Sequence, residues 1–515
     1  MMRTRCSIST PILLVLALGT ALAQDTGSPQ TNAPTPESAQ QSQTPVPAYG
    51  QDNPSPPVSE NPPISGLDVP GLEPHAAPLS YLQPRVHVSE TADSNVGNTL
   101  GTASVHAVTR ALAGVDLQRL WQSYKLSLNY TGGVGYYSAQ GLGFKQVQQM
   151  DLDQRISWKR GQLGIRDSFS YLPEGNFGTT YGSMNGLGQL IGSGAVGGGS
   201  VLVGNNVFGS LGDVPRIMNL ALVDVVENLT PKSSITASVG YGLVHYTEGV
   251  SSQILGATGT APIISFIGNS QETGQVGYDR ILGPHDQAAI VYAYQNFSFS
   301  VSGAAFHSHI AQLMWGHRIS GRMDFVISAG PQLTTIHDTQ QECTVLFAPL
   351  SQCIADQGEL ITTTLNTTRL SAAGRASLRY KFPKTSLALT YQHYNTNGSG
   401  FFAGAESDIA TLSATRPLNR IWSLTLDAGY SKNKRLQLPT ASIPGTSFSD
   451  SFAGIAVHRM LGRAFHVFAS YQFNELAFDS SFCDINGGSG PCSRISQRHL
   501  GAIGLDWTPR PIRLD

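Results

Sequence analysis

Trp422, Leu424, Leu426, Ala428 and Tyr430 alternate with Ser423, Thr425, Asp427, Gly429 and Ser431. A strand over this stretch is apolar on one face and small or polar on the other. Just upstream, Ala410, Leu412 and Ala414 alternate with Thr411, Ser413 and Thr415, and residues 416–420 make a short polar turn. Ser407 to Lys432 therefore predicts a β-hairpin. The pattern recurs from about residue 85 onward, for example in Tyr124, Leu126, Leu128 and Tyr130, in Ile235, Ala237, Val239 and Tyr241, and in Met323, Phe325, Ile327 and Ala329. Ile217 to Val226 departs from it, being apolar on both faces. No sustained helical period accompanies it, so the fold class is all-β.

Alternation alone fits a soluble sandwich as well as a membrane barrel, and connection lengths separate the two. Short turns are expected near residues 116–119, 159–161, 229–232, 281–285, 318–322, 381–384, 416–420 and 459–463, alternating with longer connections. Short turns at one end and long loops at the other are the mark of a transmembrane antiparallel up-and-down β-barrel. The hairpins on these turns, plus one strand near Val86 to Asp93 and one near Arg494 to Trp507, give about eighteen strands, with sixteen as the smaller alternative. An even count puts both ends on the periplasmic side, and lipid tolerates no open edge, so the terminal strands should pair with each other.

Arg375 decides which face is wet. In Arg369 to Tyr380, Leu370, Ala372, Ala376, Leu378 and Tyr380 share one face, while Arg369, Ser371, Arg375, Ser377 and Arg379 share the other. An arginine turned to lipid at the bilayer midplane costs about 2–4 kcal/mol, and one near a strand end costs little. Because Arg375 is central, the polar face should line a lumen and the Trp422 row should meet lipid. Trp158, Trp422, Trp507, Tyr380 and Tyr130 are expected at strand ends, in an interfacial aromatic girdle.

The N-terminal region has another character. Residues 1–23 combine Arg3 and Arg5, an apolar run from Ile12 to Leu18 and the ending Ala21-Leu22-Ala23, the pattern of a secretory signal peptide cleaved before Gln24. Its removal takes two arginines from 32 basic and 34 acidic residues, leaving 30 − 34 = −4 on the exported chain. Such a balance gives no reason to expect nucleic acid as a partner. Residues 24–80 hold 13 of the 29 prolines among Gln, Ser, Thr and Asn, with too little apolar surface to offset ordering. They are expected to be a disordered periplasmic linker, with a partner-binding or cell-wall-spanning arm as the alternative. Residues 81–515 make the barrel.

Export gives the cysteines meaning. Cys343 with Cys353, and Cys483 with Cys492, each fall inside one expected outer loop. In an oxidising compartment two loop-closing disulfides are the simplest reading, ahead of free thiols or a metal site. The sequence has neither a CxxC spacing nor a GxxxxGKS/T nucleotide loop, so no metal and no cofactor are expected.

The longest connection, residues 173–213, carries 13 glycines, including Gly197-Gly198-Gly199, together with Phe177, Leu190 and Phe208. A loop of this length in a compact domain is usually functional. With it the chain resembles trimeric bacterial porins, in which the loop after the fifth strand folds into the barrel and narrows it. The resemblance runs from about residue 85 to the end and rests on strand count, turn asymmetry and loop position. The chain is also similar to large outer-membrane barrels with Pro-rich N-terminal extensions. Where porins commonly stop on an aromatic, Trp507 is followed here by Thr508 to Asp515. The resemblance implies residence in the outer membrane of a Gram-negative cell. The partners it implies are membrane lipid and lipopolysaccharide, the barrel-assembly machinery and small solutes, with a homo-oligomer as one state of assembly. The alternatives for residues 173–213 are a solvated surface insertion or an extra hairpin around Val201 to Phe208.

Candidate pore-lining charges follow from the faces. Met150 to Lys159, the fourth expected strand, puts Asp151, Asp153 and Arg155 on one face, with Arg166 beside it, and the twelfth carries Arg369, Arg375 and Arg379. Nearly opposite in a ring of about eighteen, they would set a field across the pore and tune ion or solute selection. Internal ion pairs bracing the lumen are the competing reading. The function expected is an outer-membrane channel for passive or selective passage of small solutes, without chemistry on the solute. The alternative is a plugged surface receptor or adhesion barrel that binds a partner through disulfide-closed loops. A lipid-acting enzyme would need a Ser/His constellation facing lipid. His307, Ser308 and His309 are the one tempting cluster, and the chain is read as a non-enzyme.

Overall fold

The computed structural model describes residues 80–96, 104–139, 143–172, 215–247, 268–299, 304–343, 360–382, 384–398, 402–437, 445–483 and 493–514. Among them eighteen long strands follow one another round a single antiparallel sheet. The first six are β1 (Tyr81–Asp93), β2 (His106–Leu120), β3 (Tyr124–Tyr137), β4 (Gly143–Trp158), β5 (Gly161–Leu172) and β6 (Arg216–Thr230). Then come β7 (Ser233–Tyr246), β8 (Asn269–Ile281), β9 (Asp286–Phe299), β10 (Ala305–Ser320), β11 (Met323–Cys343) and β12 (Leu360–Lys381). The last six are β13 (Ser386–Thr396), β14 (Ala405–Pro417), β15 (Trp422–Arg435), β16 (Ser447–Leu461), β17 (Phe465–Phe478) and β18 (Ile495–Trp507).

Each strand pairs with its neighbours in sequence, and β1 also pairs with β18, from Val86↔Trp507 to Asp93↔Leu500. The sheet thus closes on itself, as an edge facing hydrocarbon requires. Residues beyond Trp507 contribute to the closure, because a two-residue β19 (Ile512–Arg513) pairs with Leu82 and Tyr81.

The tight connections gather at one end of the ring and the longer ones at the other. One tight turn lies later than the sequence suggests. Residues 116–119 remain inside β2, where Asp116 turns inward to Arg85 at 3.5 Å. The chain reverses at 121–123 instead, with the Trp121 amide donating to the Tyr124 carbonyl at 2.8 Å. An inward acid on a lumenal face had mimicked the polarity of a turn.

Side-chain exposure gives the orientation directly. On β15, Leu426 is 43% exposed on the outside and adjacent Asp427 only 8% on the inside. Apolar groups out and polar groups in is the order a lipid-embedded barrel demands, the reverse of a soluble sandwich. Trp158 and Trp507 end their strands at the short-turn side, exposed outward, and Trp121 sits in the adjoining turn. Trp422 opens β15, with the Arg459 guanidinium 5.2 Å from its ring centre. Tyr130 faces outward but stands in the middle of β3 rather than at its end.

Two strands depart from the regular wall. On β6 the inward Leu220 and Leu222 pack against a cluster formed by Ala293, Ile310, Ala373 and Tyr394. This contact with the facing wall is why the segment is apolar on both sides. β12 is longer than Arg369 to Tyr380 and pairs with β11 along its whole length, from Leu360↔Cys343 to Tyr380↔Met323. With β13 it pairs only from Gly374↔His393 to Lys381↔Ser386. Beyond that point the strands part, and residues 364–370 of β12 are exposed on both faces.

Candidate functional site in the barrel lumen

Alternation delivers a row of polar side chains from each strand into the lumen, where strand neighbours pair them. Asp153 is met by Arg155 of its own strand, Nη2 to Oδ2 at 2.9 Å. Arg166 on β5 reaches Asp224 on β6 at 2.8 Å, and Arg379 on β12 reaches Asp324 on β11 at 2.7 Å. Asp151 accepts from the Ser168 hydroxyl at 2.6 Å and the Gln149 amide at 3.4 Å. Asp153, Arg166 and Arg379 thus have charged partners within their own walls, and Asp151 has hydrogen-bond donors there.

Arg369 and Arg375 part company. Arg369 is half exposed and its Nη2 reaches Glu406 Oε2 at 2.7 Å. Glu406 lies on the outward row of β14 with Asp408, whose carboxylate accepts from the hydroxyl of exposed Tyr391 at 2.7 Å. Arg369 thus ties β12 to β14 where β12 and β13 have parted. Arg375, 7% exposed, stays inside, opposite Ser328 of β11 and Gln392 of β13.

The lumen is crossed on one side. Above the last β12 pairing, β13 swings over the inner face of β9–β11. The Gln295 amide donates to the Asn395 carbonyl at 3.2 Å, and the Asn395 amide donates to Thr334 Oγ1 at 2.7 Å. Gln437, just past β15, donates to Asp338 at 3.2 Å. Ala403 and Leu436 are buried there against Phe297, Phe299, Phe306 and Ile336. Gly404 takes the positive φ of 94° that the fold-back needs, and a Cβ on it would lie 2.7 Å from the Phe306 ring. This constriction joins residues roughly a hundred positions apart in the chain, and alternation does not encode it. An advance sign was the pair of large aromatics Phe297 and Phe306 on inward rows of β9 and β10.

His307 and His309 face outward beside His337, and the Tyr292 hydroxyl lies 2.7 Å from His309 Nδ1. Ser308 points the other way and bonds Thr334 at 2.8 Å, so strand alternation separates the serine from the histidines. Cys483 is disulfide-bonded. Cys353, Cys492 and the side chain of Cys343 lie outside the described residues, as do residues 1–79 and 173–214.

A closed even ring of antiparallel strands, tight turns at one end, apolar groups outside and polar groups inside define a membrane-spanning β-barrel of the bacterial outer membrane. No family model matches the sequence, and no curated protein does. Among solved structures the chain is similar to the ferric-yersiniabactin uptake receptor FyuA of Yersinia pestis, with 10% identity, 83% of this chain and 80% of that one covered, and a TM-score of 0.41. It is similar as well to the ferric-catecholate import receptor Fiu of Escherichia coli K12, with 8% identity, coverages of 82% and 81%, and a TM-score of 0.39. The OccK2 (OpdF) structure from Pseudomonas aeruginosa has 8% identity, coverages of 83% and 98%, and a TM-score of 0.38.

Proposed function

We propose that the protein is an outer-membrane channel for small solutes, selective rather than wide open because its own wall folds inward. The observation that carries this reading is the constriction of β13–β15 on β9–β11, set beside lumenal ion pairs such as Arg166–Asp224 and Arg379–Asp324. A path narrowed by inward packing passes small molecules and rejects large ones by size, without any chemistry on them. Narrowing by residues 173–213 remains part of the proposal as a second element, as do the disulfides Cys343–Cys353 and Cys483–Cys492 in the outer loops.

Liposome swelling with sugars of graded size tests it. Swelling should occur for the smallest sugars and cut off sharply, and Leu436→Ser combined with Phe306→Ala should raise the cut-off. A second reading, a sealed surface receptor or adhesion barrel, is favoured by the same inward packing. It is the one that stands if neither the parent protein nor the widened variant admits any sugar.

A further inference from the structure

We propose that the lumen beside β12 and β6 binds an amphipathic organic anion, its charged head on Arg375 and its apolar body on the half-buried Leu220 and Leu222. This rests on the channel reading and names the solute class that the channel would select. Arg375 is nine-tenths buried, and no carboxylate among the described residues pairs with it. The titratable groups that bear on it are the guanidinium of Arg379, a like charge, and the phenol of Tyr394, which is neutral at ordinary pH. Arg379 is already committed to Asp324. An ionised group held away from water without a counter-charge is among the most costly arrangements in a protein, unless a ligand supplies the charge.

The surroundings share the deficit. The hydroxyls of Ser328, Ser377 and Tyr394 and both amide atoms of Gln312 are buried without a hydrogen-bond partner. Gln312 and Ser328 adjoin the Tyr394 hydroxyl, yet none of the three closes a bond of good geometry. Strand register brings them together. Ser328 is directly opposite Arg375, and Val326, one inward step along β11, is opposite Ser377. Tyr394 follows Gln392 on the inward row of β13. Donors outnumber acceptors in this group, since a guanidinium offers five N–H groups and each hydroxyl one more. That is the complement of an oxyanion, a carboxylate or a phosphate or sulfate ester, which Arg grips in two-pronged fashion.

The other half of the site is apolar. Ala293, Ile310, Ala373 and Tyr394 form one cluster, and Leu220 and Leu222 of β6 close on it from the facing wall. A free inorganic anion would satisfy the guanidinium and leave Leu220 and Leu222 part-exposed. A neutral apolar molecule would do the reverse. One solute with both parts satisfies both.

The test uses the full chain refolded in non-ionic detergent, with octanoate as the probe and acetate, sulfate and octanamide as controls, binding being read by equilibrium dialysis. Octanoate should bind saturably at one per barrel, and Arg375→Gln should weaken it by about 10- to 100-fold. Arg375→Lys keeps the charge and loses the two-pronged grip, so it should bind more weakly than the parent and more tightly than Arg375→Gln. Leu222→Ser should weaken octanoate and leave acetate unchanged, which keeps the test sound if Arg375→Gln fails to fold. Undiminished octanoate binding by Arg375→Gln or by Leu222→Ser overturns the proposal. So does acetate or sulfate binding as tightly as octanoate, or octanamide displacing it equally. Sugar swelling is read separately: swelling without octanoate binding removes this inference and leaves the channel, and binding without swelling removes the channel alone.

Discussion

The ion pair Asp93–Arg498 should be the most expensive single contact to break in the barrel, because it sits buried at the closure of the ring. Arg498 Nε lies 2.9 Å from Asp93 Oδ1 and 3.0 Å from Oδ2, with Nη2 also on Oδ2, and Asp93 is wholly buried. At 3.0 Å and an effective dielectric near 20, the attraction is about 5 kcal/mol. Arg498→Met removes that attraction and strands a carboxylate whose remaining donor is the Asn95 amide at 2.9 Å. The expected loss is about 3–5 kcal/mol of unfolding free energy. Neutralising both partners, Asp93→Asn with Arg498→Gln, should recover most of it, since neither group is then a buried charge. Urea titration of the refolded protein in lipid vesicles, followed by tryptophan fluorescence, measures Arg498→Met, the double variant and its two single components, Asp93→Asn and Arg498→Gln. A single-variant loss below about 1 kcal/mol, or a double variant as unstable as the two single losses added together, would refute this account of the closure.

Two further outcomes follow from the faces and the loops. A spin label at Leu426 should be relaxed by oxygen dissolved in lipid, and Leu426→Arg should cost about 2–4 kcal/mol; quenching by a water-soluble agent instead would reverse the orientation. Asp479, in the β17–β18 connection, is pushed up by burial but held down, to about 2, by donors from Ser481, Thr446 and Ser447. A folded pKa below the unfolded one stabilises above the unfolded value, about 4. The difference in unfolding free energy between the parent and Asp479→Asn should therefore persist from pH 7 to 5 and shrink as pH falls from 4 to 2. A difference that stays constant over that range would contradict it.

The hairpin framework was legible because strand periodicity is local. Trp422 to Ser431 declares its two faces within ten residues, and Arg375 alone suffices to say which is wet. What escaped notice is non-local or depends on what lies across the lumen. The apolar inner face of β6 looked like an exception until Leu222 met Ile310 and Tyr394, residues far along the chain. The polar run at 116–119 looked like a turn because the sequence does not reveal that Asp116 has Arg85 beside it. Arg369 and Arg375 share a face by spacing, and only the parting of β12 from β13 lets Arg369 reach Glu406 of β14 while Arg375 stays buried. The gathering of Gln312, Ser328, Ser377 and Tyr394 around Arg375 likewise needs four strands in register, which no one segment announces.

The closure of β18 on β1 also has a consequence in time. Successive strands in the ring pair across connections of at most a few tens of residues, and this seam joins residues 405 apart in sequence. Loop-closure entropy grows with the logarithm of length, so the seam costs about 3 kcal/mol more to bring together than a 15-residue hairpin. The hairpins should accumulate first and the ring should shut last. Until it shuts, β1 and β18 present two unsatisfied backbone edges that lipid cannot accommodate and that other chains would readily join. The vulnerable species in the life of this protein is therefore the nearly finished, open sheet, and assembly must shield those two edges until Asp93 finds Arg498.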